Sequence, residues 1–159
     1  MPFLAELWIA LKLLENGDAP RLLEDDFNKV LENRVQSACA AVKEKGATGA
    51  ELIWGESSNA ETMRGLSSST NGKQFYVSWL KDRYGYNIAH LNEAYGLEAT
   101  SFTDLAESDF KALRRERQAV IDDDRAFLKY LEDTYKQKVD ELFQACAPGR
   151  KTEWKRNRT

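Results

Sequence analysis

Glu56 is the carboxylate whose neighbours best suit acid–base chemistry. It follows Ala50–Trp54 (AELIW), a short apolar run between Gly49 and Gly55 that reads as a strand, and it opens a polar stretch. A carboxyl at the end of a buried strand, beside an indole, loses water that would stabilise its charge. Its pKa then rises toward the range of a general acid. The same position also suits an ordinary surface glutamate after a strand, and the composition alone favours that reading.

Other chemistries find little support. The single histidine, His90, lies on the helical run IAHLNEAY beside its apolar face, a poor place for a Ser-His-acid triad. His90, Cys39 and Cys146 contain no close ligand pair, so no zinc site is expected. Gly46, Gly49 and Gly55 match neither nucleotide-binding loop pattern, and no motif calls for a cofactor. Asp122, Asp123 and Asp124 resemble a metal cluster, but successive helical residues point about 100° apart and cannot converge on one cation. With Arg114, Arg115, Arg117 and Arg125 they read as ion pairs at one-turn spacing. Arg117 and Asp124 both fall on the apolar stripe, where they are expected to make a partly buried contact or to snorkel.

The chain has 159 residues, 42% hydrophobic and 31% charged, with a formal charge of −3. One soluble, helix-rich domain over 1–149 fits these values. The near-neutral balance argues against nucleic-acid binding driven by global charge. Residues 150–159, which hold Arg150, Lys151, Lys155, Arg156 and Arg158, read as a basic flexible tail. Cys39 and Cys146 both sit on apolar helical stripes and read as buried free thiols, with a single disulfide left open. A reducing cytoplasmic setting follows. The start, MPFLAELWIALKLL, lacks a basic leader and is too short to span a bilayer. Read as a helix over 3–14 it is apolar on nearly every side, which makes it the expected contact for a homo-oligomer.

These elements give a mainly α fold of about six helices. Arg21–Lys45 forms one, ended by Gly46, and Ala50–Trp54 is at most one short strand. Residues 55–72 read as a loop with one helical turn. Two short helices follow, the first around Phe75, Trp79 and Leu80 and stopped at Tyr84-Gly85. The second is built on Ile88, Leu91 and Tyr95 and stopped at Gly96. A long C-terminal helix runs from Phe110 to Pro148, about thirty-five residues.

The run W-L-K-x-R-Y-G-x-x-I-x-x-L-N-x-A-Y-G, from Trp79 to Gly96, resembles barrel glycoside hydrolases of the β-galactosidase and agarase type. The likeness continues through Ser101–Leu105 and Asp124–Leu128 to Ala147-Pro148-Gly149, and upstream through Val35–Lys45 and Ala50–Glu56. It covers roughly residues 27–149. The resemblance implies that Glu56 is the acid/base residue, and that Trp54, Asn59, Trp79 and Tyr84 contact a carbohydrate ligand. Trp79 and Tyr84 belong to the helix-packing signature and fit a core role better. Gly55 stands where those enzymes carry an asparagine. Their nucleophile lies on a later strand, and double displacement needs two carboxylates about 5 Å apart. A full (β/α)₈ barrel needs about 250 residues. The resemblance therefore implies a partial barrel segment as the alternative fold. The alternative function is a non-catalytic helical interaction protein.

Overall fold

The computed structural model describes residues 6–15, 18–55, 59–107 and 117–157. The chain runs β1 (Trp8–Leu14), a 3-10 turn (Ala19–Arg21), α1 (Phe27–Lys45), β2 (Gly49–Gly55), α2 (Asn59–Ser68) and α3 (Thr70–Arg83). It continues through α4 (Ile88–Tyr95), α5 (Phe102–Glu107), α6 (Gln118–Cys146) and β3 (Lys151–Asn157). The strands form one sheet in the order β1-β2-β3. Both neighbours run parallel to β2, so all three strands point the same way.

This sheet corrects the mainly α class with at most one strand. The first error lies at the N-terminus. WIALKLL is apolar enough to read as an all-round helix, yet Ile9, Leu11 and Leu13 alternate onto the side packed by helices, whereas Ala10 and Lys12 are exposed. Pairing with β2 outweighs local helix propensity. An oligomer contact made by an apolar helix over 3–14 loses its basis, because Leu13 and Leu14 are buried in the chain's own core.

The second error lies in the basic end. Residues 151–157 pair with β2 along its whole length, from Lys151 opposite Gly49 to Asn157 opposite Gly55. Thr152 and Trp154 are half-buried, while Lys151, Glu153 and Lys155 are exposed. The period of two is present, but only Trp154 is strongly apolar, so charge masks the strand.

Two apolar clusters hold the helices. In the first, Leu13, Ala50 and Leu52 pack with Val35, Ala38 and Val42 of α1 and Val139 and Phe143 of α6. In the second, toward the carboxyl ends of the strands, Leu14 and Trp54 join Phe27, Leu31, Phe127 and Leu131. The small helices α2–α5 belong to this second cluster through Met63, Leu66, Tyr76, Leu80, Leu91, Tyr95 and Leu105.

The stretch expected as a loop contains α2, which buries Thr62, Met63 and Leu66. Gly65 is required there because a Cβ would overlap Pro20 of the 3-10 turn. The two short helices fall where their caps predict. Asn87 Oδ1 accepts from the amides of Ala89 and His90 at the start of α4, and Gly96 closes it at φ +67°. The long helix α6 spans 29 residues. Phe110 and the rest of 108–116 lie outside the described residues.

Cys39 and Cys146 are joined in a disulfide, with Cα atoms 6.1 Å apart and 107 residues between them in sequence. This corrects the free-thiol expectation. The stripes of α1 and α6 that bear the two residues pack against each other, so two positions that each read as core also meet. A loop of this length gives a closure term of roughly 4–5 kcal/mol in the chain-entropy account. Reduction is therefore expected to lower the melting temperature by on the order of 10 °C. Thiol titration of the unreduced protein in denaturant checks the link itself; two reactive thiols there would refute it.

Candidate functional site

A cleft of about 580 Å³ opens at the carboxyl ends of β2 and β3. Trp54 and Gly55 come from the end of β2 and Arg156 from β3. One wall is the face of α6 that carries Arg125, Lys129, Glu132 and Lys136, residues three to four apart and so on one side of a helix. Ala19 and Leu22, next to the 3-10 turn, and Thr62 of α2 complete the lining. Parallel strands leave their carboxyl ends facing the loops, which is where such sheets hold ligands.

Glu132 is the centre of the polar wall. Its side chain is only 14% exposed. Oε2 accepts from Arg156 Nη2 at 2.5 Å. Lys136 Nζ lies 2.9 Å from Oε1, an ion pair by distance without an aligned hydrogen bond, so Oε1 is buried with no donor directed at it. The Lys136 ammonium also stands over two indoles, 5.7 Å from the Trp54 ring centre and 5.5 Å from that of Trp154. Those rings meet edge to face at 5.8 Å. Trp154 Nε1 donates to the Asp140 carboxylate at 3.0 and 3.2 Å. Burial raises the Asp140 pKa, opposed by hydrogen bonds from Trp154 and Thr152 and by the charge of Lys136.

Trp54 is 4% exposed, so only its rim reaches the cleft. Glu56 follows Gly55 in sequence and lies outside the described residues. Asn59 begins α2. Trp79 and Tyr84 belong to a separate cluster and do not line the cleft. Trp79 packs on Tyr76 and Phe127 under Arg83, and Tyr84 meets Tyr95 edge to face.

That cluster is built on Asp123, which is 3% exposed. Asp123 accepts from Arg83 Nε at 2.6 Å, Tyr84 Oη at 2.6 Å and Tyr95 Oη at 2.8 Å. Asp124 accepts from Tyr76 Oη at 2.8 Å. The deeply buried aspartate is thus Asp123 rather than the expected Asp124. Arg117 does not pair with either; it donates to the carbonyls of Glu93 and Ala94 and lies against Gly96, closing the end of α4. Asp122 accepts from Gln118 on the surface. The three consecutive carboxylates serve separate sets of partners. Among the described residues no group of His, Cys, Asp and Glu side chains is arranged to hold a metal.

Sequence reasoning missed Lys136, Arg156, Trp154 and Glu132. The spacing of Glu132 and Lys136 was a visible signal, but it is common on exposed helices. Arg156 and Trp154 were hidden by the tail reading.

No family model matches the chain, and no curated protein matches it. Among solved structures, the crystal structure of an agarase, AgWH50C, is similar over 94% of this chain, with a TM-score of 0.64 and 15% identity. The chain spans about a quarter of that agarase, 24% of its length. The likeness is one of fold. Among the described residues no helix is long and apolar enough to cross a membrane.

Asp123→Ala would leave the Tyr84 and Tyr95 hydroxyls without their acceptor, and a loss of about 2–4 kcal/mol is expected in urea unfolding. A loss below about 0.5 kcal/mol would refute the importance of this contact. Burial first, then the Asp123 carboxylate, raises the Tyr84 pKa above its ordinary value. Burial and the Tyr76 hydroxyl do the same for Tyr95. The unfolded chain gives up these protons first, so their contribution is complete below about pH 10 and is lost as pH rises further. Urea midpoints measured from pH 8 to 11.5 should fall above pH 10, less steeply in Tyr84→Phe.

Proposed function

We propose that this protein binds a saccharide in the cleft at the carboxyl ends of β2 and β3, and that Glu56 supplies the acid/base group for glycosidic chemistry there. The observation that carries the reading is the position of the cleft, at the ligand end of a parallel sheet with an agarase-like fold. Glu56 is the next residue after Gly55, which lines that cleft.

The wall offers what a sugar needs. Arg156 and Lys136 each keep N–H donors beyond those turned to Glu132, and the hydroxyls of a saccharide accept such bonds. Glu132 and Asp133, the carboxylates lining the cleft among the described residues, are engaged by Arg156, Lys136 and Lys129. Each is paired with a cation, and neither is assigned here as nucleophile. Binding is accordingly the primary activity, and Glu56 is the side chain on which turnover depends. Trp54, Asn59, Trp79 and Tyr84 rank below Arg156 and Lys136 as ligand contacts in this reading.

Calorimetry with agaro-oligosaccharides, together with hydrolysis of aryl glycosides, tests it. Binding is expected in the native protein, reduced at least about tenfold in Arg156→Ala, since a charge-assisted hydrogen bond contributes about 1.5–3 kcal/mol. Glu56→Gln should keep binding and lower turnover by about 10²–10⁴. Native protein that binds but never hydrolyses would remove the role of Glu56; native protein that binds no saccharide would sink the proposal.

A further inference from the structure

We infer that the saccharide in this cleft is acidic, carrying sulfate-ester or carboxylate groups, and that Arg125 is the residue that selects for them. The inference rests on the saccharide-binding reading and specifies its ligand.

Charge carries it. Arg125, Lys129, Lys136 and Arg156 line the cleft against two carboxylates, Glu132 and Asp133, a surplus of two positive charges among the described residues. The whole chain carries −3, so this is a local concentration and not a consequence of basic composition.

The cations are not equivalent. Lys129 is matched by Asp133 at 2.8 Å. Lys136 and Arg156 both pair with the carboxylate of Glu132, and the charge of Lys136 also reaches Asp140. Arg125 is exposed, one turn before Lys129 on the same face of α6, and no ion pair engages it among the described residues. A planar guanidinium that pairs with no described carboxylate suits bidentate contact with a sulfate or carboxylate. Neutral sugars gain nothing comparable from it. Lys136 and Arg156 add an attractive field deeper in the cleft, where Glu132 keeps both in place.

Calorimetry at low salt with a neutral agaro-oligosaccharide, a sulfated galactan oligosaccharide and an oligogalacturonate of equal length tests the inference. At least one acidic ligand should bind on the order of tenfold tighter than the neutral one. Preference for the sulfated ligand alone assigns a sulfate ester, and preference for the galacturonate alone assigns a carboxylate. The acidic affinity should weaken as salt is raised from 20 to 300 mM while the neutral affinity stays nearly constant. In Arg125→Gln the ratio of acidic to neutral affinity should approach one, with an unchanged melting temperature as the control for folding. Equal affinities for all three, or a preference that survives both salt and Arg125→Gln, would overturn the acidic specificity and leave saccharide binding intact. If none of the three binds, the underlying reading falls with it.

Discussion

The central strand β2 has backbone donors and acceptors on both edges and side chains on a face buried by helices. Every buried amide and carbonyl must find a partner. Seven residues, Gly49–Gly55, therefore recruit a neighbour on each side, and the recruits are segments with unlike compositions. β1 is apolar and β3 is strongly basic. Parallel pairing requires the chain to return to the same end before each strand, and α1 and α6 provide the two returns. The Cys39–Cys146 link joins those two helices next to the strands they serve.

The long connection between β2 and β3 contains helices that pack into the second apolar cluster. Their packing is apolar, but their orientation on α6 depends on polar contacts. Asp123 and Asp124 receive three tyrosine hydroxyls between them, and Arg83 completes the set. A buried carboxylate is costly unless each oxygen is satisfied. The arrangement therefore favours one placement of α3 and α4 against α6. Arg117 closes the end of α4 on the same side.

The cleft follows from these two constraints. Parallel strands put the ends of β2 and β3 beside each other, and α6 runs along their margin. Glu132 can then bridge Lys136, on its own helix, and Arg156, on the strand. Lys136 fills the space over Trp54 and Trp154, which turns two core-type indoles into one boundary of a polar wall. None of these residues forms a site alone. The site belongs to the junction of strand and helix.

Local signals are carried by neighbouring residues, and these were legible. Asn87 and Gly96 mark both ends of α4, Gly46 ends α1, and the three-to-four spacing from Phe127 to Phe143 marks α6. Of the resemblance, only a likeness of fold to an agarase is shown, at 15% identity. Long-range pairing was not legible. WIALKLL and KTEWKRN become strands because β2 has two open edges, and neither segment's own propensity says so. The choice of Asp123 over Asp124 depended on where Arg83, Tyr84 and Tyr95 converge, and the disulfide on two stripes meeting. By itself the sequence determined which residues could begin, end and face each helix, since those preferences act within a turn. Only the tertiary structure decided the sheet, the buried carboxylate and the cleft, because each is an agreement between segments far apart in the chain.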